Sequence, residues 1–194
     1  MSISLVAGLG NPGAEYEKTR HNLGFIVLDA FARKHGLSWK HQATFEASVT
    51  RWDRAPGDTV ILAKPQTFMN ESGRSVRKVA DYYKVPLDAV IVCYDDLNID
   101  LGLVKISLTG SAGGHNGVSS LLEHLGDGFI RYRLGIGPKR PPRMDLKDFV
   151  LGKFTPEQHE LVSQTLEIYV SGLQLLLEQG APRAMNTLNR RDPK

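Results

Sequence analysis

Two kinds of apolar run alternate along this chain. Residues 3–8, 89–94 and 103–108 are short and apolar, the pattern of buried strands, with 89–94 central. Residues 45–50 and 59–63 predict strands around a turn at Pro56-Gly57-Asp58, and residues 130–136 a further strand. Elsewhere the period lengthens to that of a helix. Over 21–35, Leu23, Val27, Ala30 and Phe31 share one face, and Gly36 stands where a C-terminal cap belongs. Over 71–84, Val76, Val79, Ala80 and Tyr83 form a stripe with Arg74, Arg77 and Lys78 off it, and Pro86 ends the pattern. A short helix is predicted over 117–125, stopped by Gly126. The last third is helical over 156–190. Val162, Leu166, Tyr169, Leu173 and Leu176 make one stripe, and Pro182 restarts a segment carrying Ala184, Met185 and Leu188. Strands interleaved with helices predict one α/β domain over 1–194.

Composition narrows this picture. With 41% apolar and 23% charged residues the chain has the balance of a folded globular protein, not of a disordered one. A single cysteine, Cys93, excludes an intrachain disulfide framework and suits a reducing compartment. No apolar run is long enough for a transmembrane helix, and the first ten residues lack the basic start and apolar core of a signal peptide. The net charge of +3 does not by itself announce a nucleic-acid partner, but the charge is uneven. Residues 131–153 hold Arg131, Arg133, Lys139, Arg140, Arg143, Lys147 and Lys153 against only Asp145 and Asp148. Pro138, Pro141 and Pro142 place a loop within that segment. A solvated loop beside a helix and a clamp for a polyanion both fit this distribution.

Several motifs fail on inspection. Gly8-Leu9-Gly10-Asn11-Pro12-Gly13 satisfies the dinucleotide-binding glycine pattern, yet residues 14–20 separate it from the first strong helical period. A pyrophosphate site needs the helix to open at that turn, so a tight turn explains the glycines better. The six histidines show no zinc-protease spacing, and Gly110-Ser111-Ala112-Gly113 is not a nucleophile elbow. What remains is His21 at a loop-to-helix junction, Asp95 after the apolar run 90–94, Asn70 at a helix start, and Asn116 before another helix. Ligands of open α/β sheets gather at such junctions. A His oriented by an Asp is a general base, and carboxamides can serve an oxyanion or a substrate N–H. Helix caps and turns are the alternative reading of the same residues.

The wording of the segments is more specific than their spacing. Gly8 to Gly13 with Tyr16 and Thr19-Arg20-His21-Asn22, Lys64-Pro65 with Thr67-Phe68-Met69-Asn70, Asp95-Asp96-Leu97, Gly113-Gly114-His115-Asn116-Gly117, Arg133 with Gly135-Ile136-Gly137, and residues 148–154 together resemble the bacterial peptidyl-tRNA hydrolase family, in its order. The resemblance implies a single-domain, three-layer-like α/β protein with a mixed twisted sheet surrounded by helices and a basic lid-like segment at 138–154. It implies a cytoplasmic, usually monomeric enzyme without metal, cofactor, membrane or obligate protein partner. That enzyme hydrolyses the ester between a peptide and tRNA and so recycles tRNA from abortive translation. His21 would activate water and Asp95 would hold it in its basic form. Asn11, Tyr16, Phe68, Met69, Asn70 and Asn116 would contact substrate, and Lys105, Arg133, Arg140 and Arg143 would meet tRNA phosphates. Ser107 stands where related enzymes often carry a second lysine.

The residue types suit that chemistry. An activated ester needs a positioned water, a base near neutral pKa and an oxyanion donor, and no metal. A blocked amine offers an amide N–H that an Asn11 oxygen could accept, whereas a free amine does not. Double-stranded RNA hides its bases in a deep, narrow groove, so tRNA would be read by shape and phosphates. An RNA-binding module without turnover, or a nucleotide-dependent oxidoreductase using the glycine turn, are the competing classes. A poised base is superfluous in the first, and NAD(H) binding would reveal the second.

Overall fold

In the computed structural model, which describes residues 2–189, the apolar runs become the strands of one seven-stranded sheet. Residue 190, the last position of the expected C-terminal helical segment, lies outside the described residues, as do residues 1 and 191–194. The strands are β1 (Ser2–Gly8), β2 (Lys40–Gln42), β3 (Ala47–Ala55), β4 (Asp58–Pro65), β5 (Val90–Asp100), β6 (Val104–Ser107) and β7 (Ile130–Gly137). Their order across the sheet is β2-β3-β4-β1-β5-β7-β6. The four central strands β4, β1, β5 and β7 are parallel, whereas β2 and β3 at one edge and β6 at the other add antiparallel pairs. The sheet is therefore mixed.

Both faces of the central strands are buried, which explains their nearly unbroken apolar sequence. Along β1, Leu5 and Ala7 face one core and Val6 the other; along β5, Val90, Val92 and Tyr94 alternate with Ile91 and Cys93 in the same way. Helices α1 (Leu23–Lys34) and α5 (Pro156–Leu188) cover the Val6 face, burying Leu28, Phe31, Tyr169 and Leu173. Helices α2 (Ser72–Tyr83) and α3 (Asn116–Leu125) cover the other with Val76, Val79, Val118 and Leu121. Each such fully buried aliphatic or aromatic side chain contributes about 1.5–3 kcal/mol. The result is three layers.

Several elements differ from the pattern read in the sequence. The first helix starts at Leu23, two residues later than expected, because a 3-10 turn, Arg20–Asn22, precedes it. β5 runs on to Asp100, so Asp95 and Asp96 lie within a strand and form no turn. The polar edge strand β2 and the helix α4 (Leu146–Leu151) inside the basic segment carry little periodicity and were not anticipated. α5 opens with a capping box between Thr155 and Gln158 and, in keeping with the restart expected at Pro182, breaks at Gly180, whose φ of 78° leaves the helix two residues earlier. Just past its end, Asn189 accepts from the Ile106 N–H at 2.7 Å and donates to the Ile106 carbonyl at 2.9 Å, tying the helix to the exposed edge strand β6.

Candidate active site

The pairing of β5 with β1 ends at Cys93, whereas β5 continues beside β7. Asp95 therefore projects just past the carboxyl end of β1, where open α/β sheets form their clefts. The first turn of α1 lies directly on this edge. A Cβ on Gly24 would stand 2.5 Å from the Cys93 carbonyl oxygen and 2.7 Å from the Leu9 N and O atoms. Only glycine permits that approach, and it carries the Arg20–Asn22 turn, with His21 in its middle, up to Asp95.

His21 Nδ1 lies 3.0 and 2.9 Å from the two Asp95 carboxylate oxygens. The pair is 74 residues apart in sequence and nearly buried, at 6% and 2% exposure. An ionised carboxylate only accepts, so the neutral imidazole carries its proton on Nδ1 and keeps the Nε2 lone pair. Burial pushes the His21 pKa down, but the charge and hydrogen bond of Asp95 outweigh this and raise it above the ordinary 6.5. Burial would likewise raise the Asp95 carboxyl; the facing His21 and His115 hold it well below the usual carboxylate range.

His115 is the residue that the sequence reading did not single out. Its Nε2 lies 2.9 Å from Asp95 Oδ1, and its Nδ1 accepts the Gly117 and Val118 N–H groups at 3.1 and 3.3 Å, capping α3. Nδ1 is thus an acceptor, which puts the proton of the neutral ring on Nε2, donated to Asp95. The His21, Asp95 and His115 ligand atoms lie within 4.8 Å of one another, a cluster that could suggest a metal centre. Its donor set does not fit one, because the Nε2 lone pair of His115 is not free in that tautomer. The sequence signals for His115 are its membership of the segment Gly113 to Gly117 and its place directly before a helix start, between Gly114 and Asn116.

Asn11 and Asn22 form a reciprocal pair. The Asn11 N–H donates to Asn22 Oδ1 and Asn22 Nδ2 donates to the Asn11 carbonyl, both at 2.9 Å. The Asn11 side-chain oxygen accepts the Met69 N–H at 2.7 Å. The oxygen expected to receive a substrate N–H thus already accepts one backbone N–H, and the Asn11 amino group offers donors beside it.

A cleft of about 900 Å³ is lined by Asn11, His21, Phe68, Met69, Asn70, Asp95, His115 and Asn116. Asn70 and Asn116 are exposed and cap no helix through their side chains: Phe68 and Glu71 occupy the N-cap positions before and at α2, and His115 that of α3. Phe68 is 60% exposed at the rim. Tyr16 lies outside the cleft wall and meets the Phe68 ring edge-on at 6.5 Å.

The basic residues divide by environment. Arg140 and Arg143 are exposed beyond the cleft wall, and Lys105 is exposed on β6, opposite Arg133 on β7. Arg133 lines the cleft with its guanidinium turned to Asp96 at 2.8 Å and Ser107 Oγ at 2.9 Å. Arg131, the first residue of the basic run 131–153, faces inward. It is 2% exposed and donates to the carbonyls of Gly110 and Ser111 and to Asp127, bracing a loop from within. The basic segment is also tied to the turn that carries His21. Arg20 donates to the Phe149 carbonyl at 3.1 Å and to Gln158 at 2.7 Å, and stands 4.4 Å over the Phe149 ring.

A mixed sheet with a carboxamide-rich cleft and a carboxylate-backed imidazole defines an α/β protein with a hydrolase-type cleft. A family model described as peptidyl-tRNA hydrolase matches residues 5–194. The chain belongs to that family. Peptidyl-tRNA hydrolases of Pelobacter propionicus and Gloeobacter violaceus are 46% and 43% identical to it, covering 99% and 98% of this chain and 98% and 96% of their own. The crystal structure of peptidyl-tRNA hydrolase from Acinetobacter baumannii superposes with a TM-score of 0.88 at 36% identity, covering 99% of this chain and 97% of that one. No helix among the described residues is long and apolar enough to cross a membrane.

Proposed function

We propose that this chain hydrolyses the ester between a peptide, or an N-blocked amino acid, and the terminal ribose of tRNA, with His21 as the base that activates water. The observation that carries this reading is the contact of His21 Nδ1 with Asp95 in the wall of a cleft that also holds Asn11, Asn70 and Asn116. Asp95 fixes the tautomer and orientation of His21. Its Nε2 then takes a proton from water as the oxygen attacks the acyl carbon, and returns it to the departing ribose oxygen. A base so placed contributes about 10²–10⁴-fold, and an amide donor to the oxyanion about 10²–10³-fold. Asn70 and Asn116 are the exposed amides placed to donate there. Phe68, with Tyr16 behind it, offers an aromatic face for the terminal base.

Selection for a blocked amine runs through Asn11. Its free amino end donates to the acyl carbonyl that a blocked amine carries and a free amine lacks. Lys105, Arg140 and Arg143 supply exposed positive charge for tRNA phosphates, and Arg133 adjusts the electrostatics of the cleft. The reaction needs no metal, because the base and the amide donors come from side chains. It needs no second subunit, because all these groups belong to one chain. We place it in the cytoplasm, where peptidyl-tRNA forms. The test is release of deacylated tRNA from N-acetyl-aminoacyl-tRNA, beside the unblocked ester, with a chelator present. Release confined to the blocked ester supports the reading; no release, equal release, or loss on chelation refutes it.

A further inference from the structure

We infer that His115 is a positioning residue for the hydrolysis: by donating from Nε2 to Asp95 Oδ1 while Nδ1 caps α3, it sets the carboxylate in the orientation that orders His21. This rests on the base role proposed for His21. The geometry has three parts. Both Asp95 oxygens lie within reach of His21 Nδ1, at 3.0 and 2.9 Å, so that contact alone leaves the carboxylate free to pivot about its own axis. The bond from His115 to Oδ1, at 2.9 Å, removes that freedom. His115 is in turn anchored on its other nitrogen by the two N–H groups at the start of α3, and its ring packs 5.1 Å from Tyr94 and 4.8 Å from His21.

The choice of residue is informative. Ser, Thr, Asp and Asn are the usual N-caps, with short side chains that accept one or two backbone N–H groups. Histidine adds what they lack, a donor on the far side of the cap, and here that donor meets the buried carboxylate. The α3 terminus thereby becomes a rigid strut behind Asp95. The titratable groups facing His21 are Asp95 from β5 and His115 from the α3 cap. Neighbouring Arg20 is turned to Phe149 and Gln158, and Asp96 is paired with Arg133.

His115→Asn separates the two tasks, since Asn caps well but is too short to reach Asp95. In that variant the whole carboxylate charge faces His21. The acid limb of the kcat/KM–pH profile is expected to move to higher pH by roughly half a unit or more, with kcat lower and KM little changed. His115→Gln, which restores an N–H at the longer reach, is expected to bring the limb back toward its wild-type position. A limb unmoved in His115→Asn overturns the inference, whatever happens to the rate, because a purely structural loss lowers activity without shifting it. Ring ¹⁵N NMR of the wild-type protein gives a check independent of any variant's folding: the neutral His115 ring is expected to be protonated on Nε2, and protonation on Nδ1 overturns the inference. Wild-type turnover in His21→Ala would overturn the base role and this inference together. A wild-type limb that His115→Asn leaves in place overturns the inference alone.

Discussion

Replacing Asp95 by Asn changes one atom in the site, and the hydrogen bonds around it decide the outcome. Asp95 accepts from two imidazoles, His21 through Nδ1 and His115 through Nε2. An Asn there has one accepting end and one donating end, so one of the two oxygens that face His21 Nδ1 becomes an amino group. His115 cannot yield, because its Nδ1 receives the Gly117 and Val118 N–H groups and its proton therefore stays on Nε2. The Asn oxygen then takes the Oδ1 position facing His115, and the amino group takes the Oδ2 position, 2.9 Å from His21 Nδ1. A donor opposite Nδ1 drives the His21 proton onto Nε2, the nitrogen that has to accept from water. Fold and shape are kept while the base is lost. The cost in kcat is therefore the general-base contribution, about 10²–10⁴-fold, with KM nearly unchanged. Steady-state release of tRNA from N-acetyl-aminoacyl-tRNA measures it, and circular dichroism checks the fold. A folded Asp95→Asn variant within about threefold of wild-type kcat would refute the tautomer argument.

Further expectations concern approach, charge and pH. Gly24→Ala places a methyl 2.5 Å from the Cys93 carbonyl, so the α1 turn must retreat. Urea denaturation should record a loss of about 1–3 kcal/mol with reduced kcat, and a loss below about 0.5 kcal/mol would remove the close-approach argument. Arg140→Ala with Arg143→Ala should weaken tRNA binding and reduce the slope of log K against log salt by about one to two. Arg131→Ala should instead lower stability and leave that slope in place, since its guanidinium is bonded inward; the reverse pattern would reassign the phosphate contacts. For wild-type, only neutral His21 acts as base and its folded pKa lies above the ordinary 6.5. kcat/KM should therefore rise from acid through a midpoint above 6.5, and a midpoint well below it would count against the Asp95 pairing. The linked stability has the opposite sense: the raised His21 pKa favours the folded state below the unfolded value, and this is lost as pH climbs through the folded one.

The central strands were legible because burial on both faces leaves runs such as residues 89–94 without polar interruption. His21, Asn70 and Asn116 were legible as polar residues at element junctions and Asp95 as the acid after the apolar run 90–94, and the wording of their segments tied them to one family. Other features leave no mark on one dimension of sequence. Asp95 continues a strand, because β7 pairs it beyond the point where β1 stops. Arg131 and Arg140 look alike in a basic run, yet one fills loop carbonyls and the other faces solvent. β2 is three polar residues on an edge, where side-chain pattern carries no information about pairing. His115 reads as a loop residue among glycines until α3 starts at its shoulder and its two nitrogens find partners from different layers.

His21→Ala, measured for single-turnover release and for tRNA affinity in the same buffer, bears most directly on the central claim. The expected result is a fall in release of about 10²–10⁴-fold with affinity nearly unchanged. Release at the wild-type rate, or a fall explained wholly by lost tRNA binding, would contradict it.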